Sequence, residues 1–90
     1  MKPVRWSPHA LKNLVDREIE REQADRTLEA PELIVPGQTG RKVFMRRYFD
    51  TNLQQDMLLR IILEETTEES VVVTIYKTSQ IDRYIKGCLP

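Results

Sequence analysis

Ninety residues carrying 14 basic and 14 acidic side chains form one domain with a single modest core and no net charge, too short for two independent units. Hydrophobic residues at 40% and charged residues at 31% exclude a disordered chain, and a pI near 6.6 excludes a global field that would gather nucleic acid or an acidic membrane. No apolar run is long enough to span a bilayer, and MKPVRWSPHA lacks the apolar centre of a signal peptide, so the expected setting is the cytoplasm. A single cysteine, Cys88, rules out an internal disulfide framework and, beside a single histidine, argues against structural zinc. No metal or cofactor is expected.

Pro3 to Trp6 reads as an extended lead-in able to pair at a sheet edge, where a proline at the strand start is tolerated. Ser7-Pro8 then starts a helix, with Ser7 as cap and Pro8 in the first turn, running to about Arg17. Ala10, Leu11, Leu14 and Val15 recur at helical spacing and predict its buried stripe. His9 and Asp16 lie on the other side with Asn13 between them, and Arg17 sits at the boundary. Ile19 fills the corner before a second, largely charged helix over Glu20 to Glu29. Its thin apolar face is Ala24 and Leu28, and Glu22 with Arg26 makes a pair four apart.

Pro31 ends that helix. Leu33 to Val35 reads as a short strand closed by Pro36-Gly37 and Gly40. Arg41 to Phe49 alternates as a strand, with Val43, Met45, Arg47 and Phe49 on one face and Lys42, Phe44, Arg46 and Tyr48 on the other. Asp50 to Asp56 turns into Met57 to Leu63, apolar except at Arg60. The acidic connection from Glu64 to Ser70 leads to Val71 to Tyr76, the longest β-branched run and the expected central strand. Closing this hairpin with Leu63 opposite Val71 sets Arg60 beside Thr74, and puts Met57, Leu59, Ile61, Leu63, Val71, Val73 and Ile75 on a core face. Pairing Phe49 with Met57 brings Arg46 next to Arg60, two cations that repel unless an anion bridges them. Ile81 and Tyr84 fold back as a single turn, and Lys86 to Pro90 has little to pack against. The predicted class is α+β, two N-terminal helices on a three- to five-stranded antiparallel sheet.

Ser7-Pro8-His9-Ala10, Arg17-Glu18-Ile19, Ala30-Pro31-Glu32, Gly40-Arg41-Lys42-Val43, Leu59-Arg60-Ile61 and Val73 through Ser79 together resemble domain-of-unknown-function family 4258, over nearly the whole chain. That family is similar in fold to RelE-like and BrnT-like toxins of the barnase, colicin and RelE superfamily. The resemblance implies a metal-independent endoribonuclease of a bacterial toxin–antitoxin system, with RNA as substrate and a cognate antitoxin as partner. Asn13 departs from the arginine that members often carry four residues after the histidine.

Cleaving RNA without metal needs a base for the 2′-hydroxyl, cations for the phosphorane and an acid for the leaving oxygen. His9, Arg17, Arg60 and Tyr76 are the candidate catalytic groups, His9 as base or acid because imidazole titrates near neutrality. Arg46, Arg47, Arg41, Thr74 and Lys77 are the candidate phosphate ligands, the arginines through forked donors. Each also has a plainer reading: His9 as a solvated helix edge, Arg17 paired with Asp16, Glu18 or Glu20, Thr74 and Tyr76 as packing residues, and the cluster from Arg41 to Arg47 as charge guarding a strand edge. Arg60 alone lacks a local partner in sequence. The runner-up function is a non-catalytic module of the same fold that binds RNA or protein, and a third is an orphan structural domain whose arginine pairs with the loop glutamates. A second copy of the chain is a further possible partner.

Overall fold

In the computed structural model, which describes residues 3–85, two helices cover one face of a five-stranded mixed sheet. The elements are β1 (Val4–Trp6), α1 (Pro8–Asp16), α2 (Arg21–Glu29), β2 (Leu33–Pro36), β3 (Arg41–Asp50), β4 (Gln55–Glu65), β5 (Ser70–Thr78) and α3 (Ile81–Tyr84). Strand order is β1-β5-β4-β3-β2. The expected all-antiparallel sheet is corrected at β1, which pairs parallel to β5 through Val4↔Ser70 and Trp6↔Val72 because the lead-in runs alongside the last strand. The proposed tail from Lys86 to Pro90, with Cys88, lies outside the described residues.

The helix-side core is Ala10, Leu14, Ile19, Ala24 and Leu28 against Leu59, Ile61, Leu63, Val72 and Ile75. Leu59, Ile61 and Ile75 are fully buried, each contributing about 1.5–3 kcal/mol by removal from water. A second cluster, Val43, Met45 and Leu58, fills the other face beneath Leu33, Val35, Ile62 and the α3 residues Ile81 and Tyr84. No helix among the described residues is long and apolar enough to cross a membrane.

Helix α1 begins as its sequence dictates, with the Ser7 hydroxyl accepting the Ala10 N–H at 3.1 Å. Its predicted stripe is corrected. Leu11 is 43% exposed and Val15 78%, while Asn13 is buried with Ala10 and Leu14. The cause is the open edge of β5. Strand β1 covers that edge only as far as Val72; beyond it α1 takes over. The Ser7 amide donates to the Val72 carbonyl (3.1 Å), the Ser7 hydroxyl to the Val73 carbonyl (3.3 Å), Asn13 to the Thr74 hydroxyl (2.7 Å) and Arg17 to the Ile75 carbonyl (2.7 Å). These polar bonds fix the rotation of the helix and shield a strand edge that is otherwise a template for pairing.

Two registers also differ from expectation. At the β3–β4 turn Phe49 pairs with Asp56, not Met57, and Asp50 with Gln55. Asp50 sets this: its Oδ1 accepts the amides of Asn52 (2.9 Å) and Leu53 (3.1 Å), an Asx-type turn completed by Gln54 at φ 55°. A slip of one residue exchanges the faces of a strand, so Arg46 faces the helices opposite Leu59 while Arg60 faces away. In the last hairpin Leu63 pairs with Val72, Ile62 with Thr74 and Arg60 with Tyr76, leaving Val73 as the extra residue of a bulge. The bulge sends Val72 into the helix-side core, where Val71 and Val73 had been expected.

Candidate functional site

Arg60 sits in β4 between Leu59 and Ile61, both fully buried on the helix side, so strand alternation turns its side chain to the opposite face. There it occupies the middle of a row that crosses three strands, with Met45 of β3 and Tyr76 of β5 as its direct cross-strand partners. Its Nε lies 3.4 Å from the Met45 sulfur, one terminal nitrogen donates to the Tyr76 hydroxyl oxygen, and α3 lays the Tyr84 ring 4.0 Å from the guanidinium carbon. The Tyr76 ring is 5.2 Å away. Among the described residues no carboxylate pairs with this cation.

A half-buried guanidinium held between two phenols and a thioether keeps donors free and its charge uncompensated. Because the Tyr76 oxygen accepts from Arg60, its own proton remains available to donate. The arrangement can bind an anion: the arginine supplies forked donors and the phenol a further one. Sequence reasoning identified Arg60 and Tyr76 and missed Met45 and Tyr84. Met45 required the β3–β4 register. Tyr84 required the direction in which α3 returns, for which the only signal was an aromatic spaced three residues after Ile81.

The other named residues are placed elsewhere. His9 is exposed on α1, the helix that packs on the far side of the sheet from Arg60. Arg17 closes the β5 edge through the Ile75 carbonyl, and Thr74 accepts from Asn13. Arg46 lies on the helix side, donating to the Thr27 hydroxyl (3.3 Å) and to Gln23 of α2. Arg47 holds Glu32 with a fork at 2.7 and 3.0 Å, and that hydrogen bond lowers the Glu32 pKa despite the opposing effect of burial. Arg41 faces Glu64 at 3.6 Å.

Lys77 makes a buried ion pair with Asp50, Nζ to Oδ2 at 2.6 Å, and also donates to the Glu18 carbonyl at 3.1 Å. Burial pushes Asp50 up, yet the Lys77 hydrogen bond and the Leu53 and Asn52 amides together hold its pKa below the ordinary value. The nearby Tyr48 hydroxyl, which donates to the same carboxylate at 3.3 Å, is pushed well up, first by burial and then by the charge of Asp50. The structure therefore brings Arg60 and Tyr76 together, leaves His9 exposed on the far side of the sheet, and distributes Arg17, Arg41, Arg46, Arg47, Thr74 and Lys77 among other contacts. Among the described residues there is no group of three or more histidine, cysteine, aspartate or glutamate side chains placed to hold a metal ion.

Fold and site define a small α+β domain with helices on one sheet face and an uncompensated arginine on the other. The chain belongs to the family described as domain of unknown function DUF4258, whose model matches residues 6–77. That span includes Arg60 and Tyr76 and stops short of Tyr84. No curated protein and no solved structure matches the chain.

Proposed function

We propose that this protein binds RNA through the sheet face opposite its helices, with Arg60 holding a backbone phosphate, Tyr76 donating to it and Tyr84 offering its ring to a base. The observation that carries this reading is the guanidinium of Arg60, fixed by Met45, Tyr76 and Tyr84 and matched to no carboxylate among the described residues. A cation held in place without a counter-ion is prepared for an anionic ligand, and aromatic rings beside it suit an unpaired base. The zero net charge favours local recognition over long-range attraction.

A second reading is cleavage: a toxin-like, metal-independent endoribonuclease of RelE-like or BrnT-like fold, cytoplasmic and neutralised by an antitoxin. What favours it is the direct contact between Arg60 and Tyr76, which sets a charge-neutralising group and a proton donor on the same phosphodiester. His9 stands on the other side of the sheet, so in this reading the 2′-hydroxyl proton leaves to a group other than His9.

The test is single-stranded RNA titrated into the purified chain in chelator, followed by anisotropy and by analysis of RNA ends. Arg60→Ala is expected to weaken binding about tenfold or more, the effect of losing a charged hydrogen-bonding group, and His9→Ala to leave it unchanged. Binding equal in Arg60→Ala and the parent would remove the site. Accumulation of 2′,3′-cyclic phosphate ends, abolished by Arg60→Ala and reduced by Tyr76→Phe, would establish the second reading, and growth arrest relieved by a neighbouring gene product would add the toxin role.

A further inference from the structure

Helix α3 joins the surroundings of Arg60 to a second hollow on the same sheet face. Its last residue, Tyr84, lays its ring on the Arg60 guanidinium, and one turn earlier Ile81 and Asp82 wall a cleft of about 370 Å³ whose remaining lining is Arg47, Tyr48 and Phe49 of β3 and Asp56 of β4. Phe49 and Asp56 are direct cross-strand partners, and Phe49 is 53% exposed. A wider cleft of about 570 Å³ shares Asp56, Ile81 and Asp82 and adds Arg83. A hollow of this size with an open aromatic in its wall takes a flat ring system.

The smaller cleft presents both signs of charge. Arg47 lines it together with Asp56 and Asp82 and feels both carboxylates: its pKa is raised first by the hydrogen bond to Glu32 and then by the charges of Glu32, Asp56 and Asp82. Its Nε and one terminal nitrogen are spent on Glu32, which leaves the other terminal nitrogen with donors to offer among the described residues. Arg83, in the wider cleft, donates to Gln80 at 3.2 Å. Carboxylate acceptors and a guanidinium donor beside an aromatic match neither a simple anion nor a simple cation. They match a neutral ring with N–H groups on one edge and acceptors on another, which is a nucleobase. The two carboxylates also repel a phosphate, so the base enters here and the backbone stays outside.

We propose that this cleft reads a guanine of the RNA held at Arg60, with the base stacked on Phe49, its N1–H and N2–H groups donating to the carboxylates of Asp82 and Asp56, and its O6 and N7 accepting from Arg47. Guanine is selected because it sets two N–H donors side by side, the match for carboxylate oxygens, and two acceptors along another edge, the match for a guanidinium. Adenine and cytosine place a ring acceptor beside their amino group, which a carboxylate repels, and uracil has one N–H between two carbonyls. Asp56 and Arg60 are four residues apart on one strand face, roughly 13 Å. A ligand that reaches both is therefore a short oligonucleotide, and the guanine is a different base from the one that meets Tyr84. The inference rests on the RNA reading for its occupant and adds a base preference to it.

The experiment titrates two oligouridines into the full chain by anisotropy, one unbroken and one with a single central guanosine, and follows guanosine and uridine nucleosides by backbone amide NMR shifts. The central guanosine is expected to tighten binding about tenfold. Inosine at the same position, which lacks the N2 amino group, is expected to forfeit most of that gain. The double variant Asp56→Asn/Asp82→Asn is expected to bring the two strands to equal affinity without weakening the unbroken one, and the guanosine nucleoside, unlike uridine, to shift the amides of Phe49, Asp56, Ile81 and Asp82. Equal affinity of the two strands for the parent chain, a gain kept whole by inosine or by the double variant, or nucleoside shifts centred elsewhere would each overturn the proposal. The nucleosides carry no phosphate, so the two readings fail separately. Oligouridine binding that is lost in Arg60→Ala but shows no guanosine preference removes this cleft alone; guanosine shifts that persist while Arg60→Ala binds RNA like the parent remove the phosphate site alone.

Discussion

Arg60 and Lys77 occupy adjacent rungs of one ladder, Arg60 opposite Tyr76 and Leu59 opposite Lys77, yet point to opposite faces of the sheet. Lys77 meets a carboxylate and a carbonyl, with 11% of its side chain and 5% of Asp50's exposed. Arg60 meets two phenols and a sulfur. The first cation is consumed by the fold: it ties the β3–β4 turn to β5 and to the corner between α1 and α2. The second is held by the fold without being neutralised. Burial of a charge alone says little about its role; what decides is whether a counter-charge is supplied.

The sharpest test of that contrast is Lys77→Met. It strands the Asp50 carboxylate, and removing one member of a buried pair costs about 3 kcal/mol. For a domain of this size that is a fall in melting temperature on the order of 10–20 °C. A urea midpoint close to the parent's would show the pair to be incidental.

Acid titration separates the two regions next. Because Asp50 is held below its ordinary value of 3.8, the folded chain binds fewer protons there than the unfolded chain. Its contribution is therefore fully present above that pH and is lost as pH falls through the lower folded-state value. Asp50→Asn is expected to flatten the acid limb of a stability–pH curve, leaving the part contributed by Glu32, whose pKa Arg47 also lowers. An acid limb unchanged in Asp50→Asn would assign it to other carboxylates.

Smaller effects follow from single bonds. Arg17→Leu removes the 2.7 Å bond that closes the β5 edge at Ile75 and is expected to cost about 1 kcal/mol by urea unfolding. Arg60→Met is expected to change stability least, by under about 1 kcal/mol, because an apolar chain replaces a charge that had no ionic partner. If Arg60→Met unfolded the chain as readily as Lys77→Met, the distinction between the two cations would fail.

Much of the architecture was legible in the residues. Ser7-Pro8 placed the start of α1, Pro31 the end of α2, and the alternation of Arg41 to Phe49 and the β-branched run from Val71 the long strands. What the sequence could not convey was register. The β3–β4 register depends on one side chain, Asp50, capping amides within its own turn, and the β4–β5 register on a bulge at Val73. A one-residue error in the first brought Arg46 to Arg60; the second cancelled over two residues and left Arg60 and Tyr76 correctly on one face. Leu11 and Val15 were misplaced for another reason. A helical apolar pattern marks what can be buried, whereas the rotation of α1 is set by its polar bonds to the β5 edge. The same edge accounts for Arg17 and Thr74, whose hydrogen-bonding groups are taken by backbone and by Asn13.

The Asp50 turn has a consequence for how this chain tolerates change in length. Four residues, Thr51 to Gln54, separate the paired Asp50 and Gln55, and a change in length that the turn does not absorb slips every pairing along β3 by one. Because side chains alternate, the shift is not graded: Phe44, Arg46 and Tyr48 would leave the helices together and Val43 and Met45 would replace them. A change of length is therefore tolerated here only where the turn or a bulge takes it up, as the hairpin between β4 and β5 takes up one extra residue at Val73.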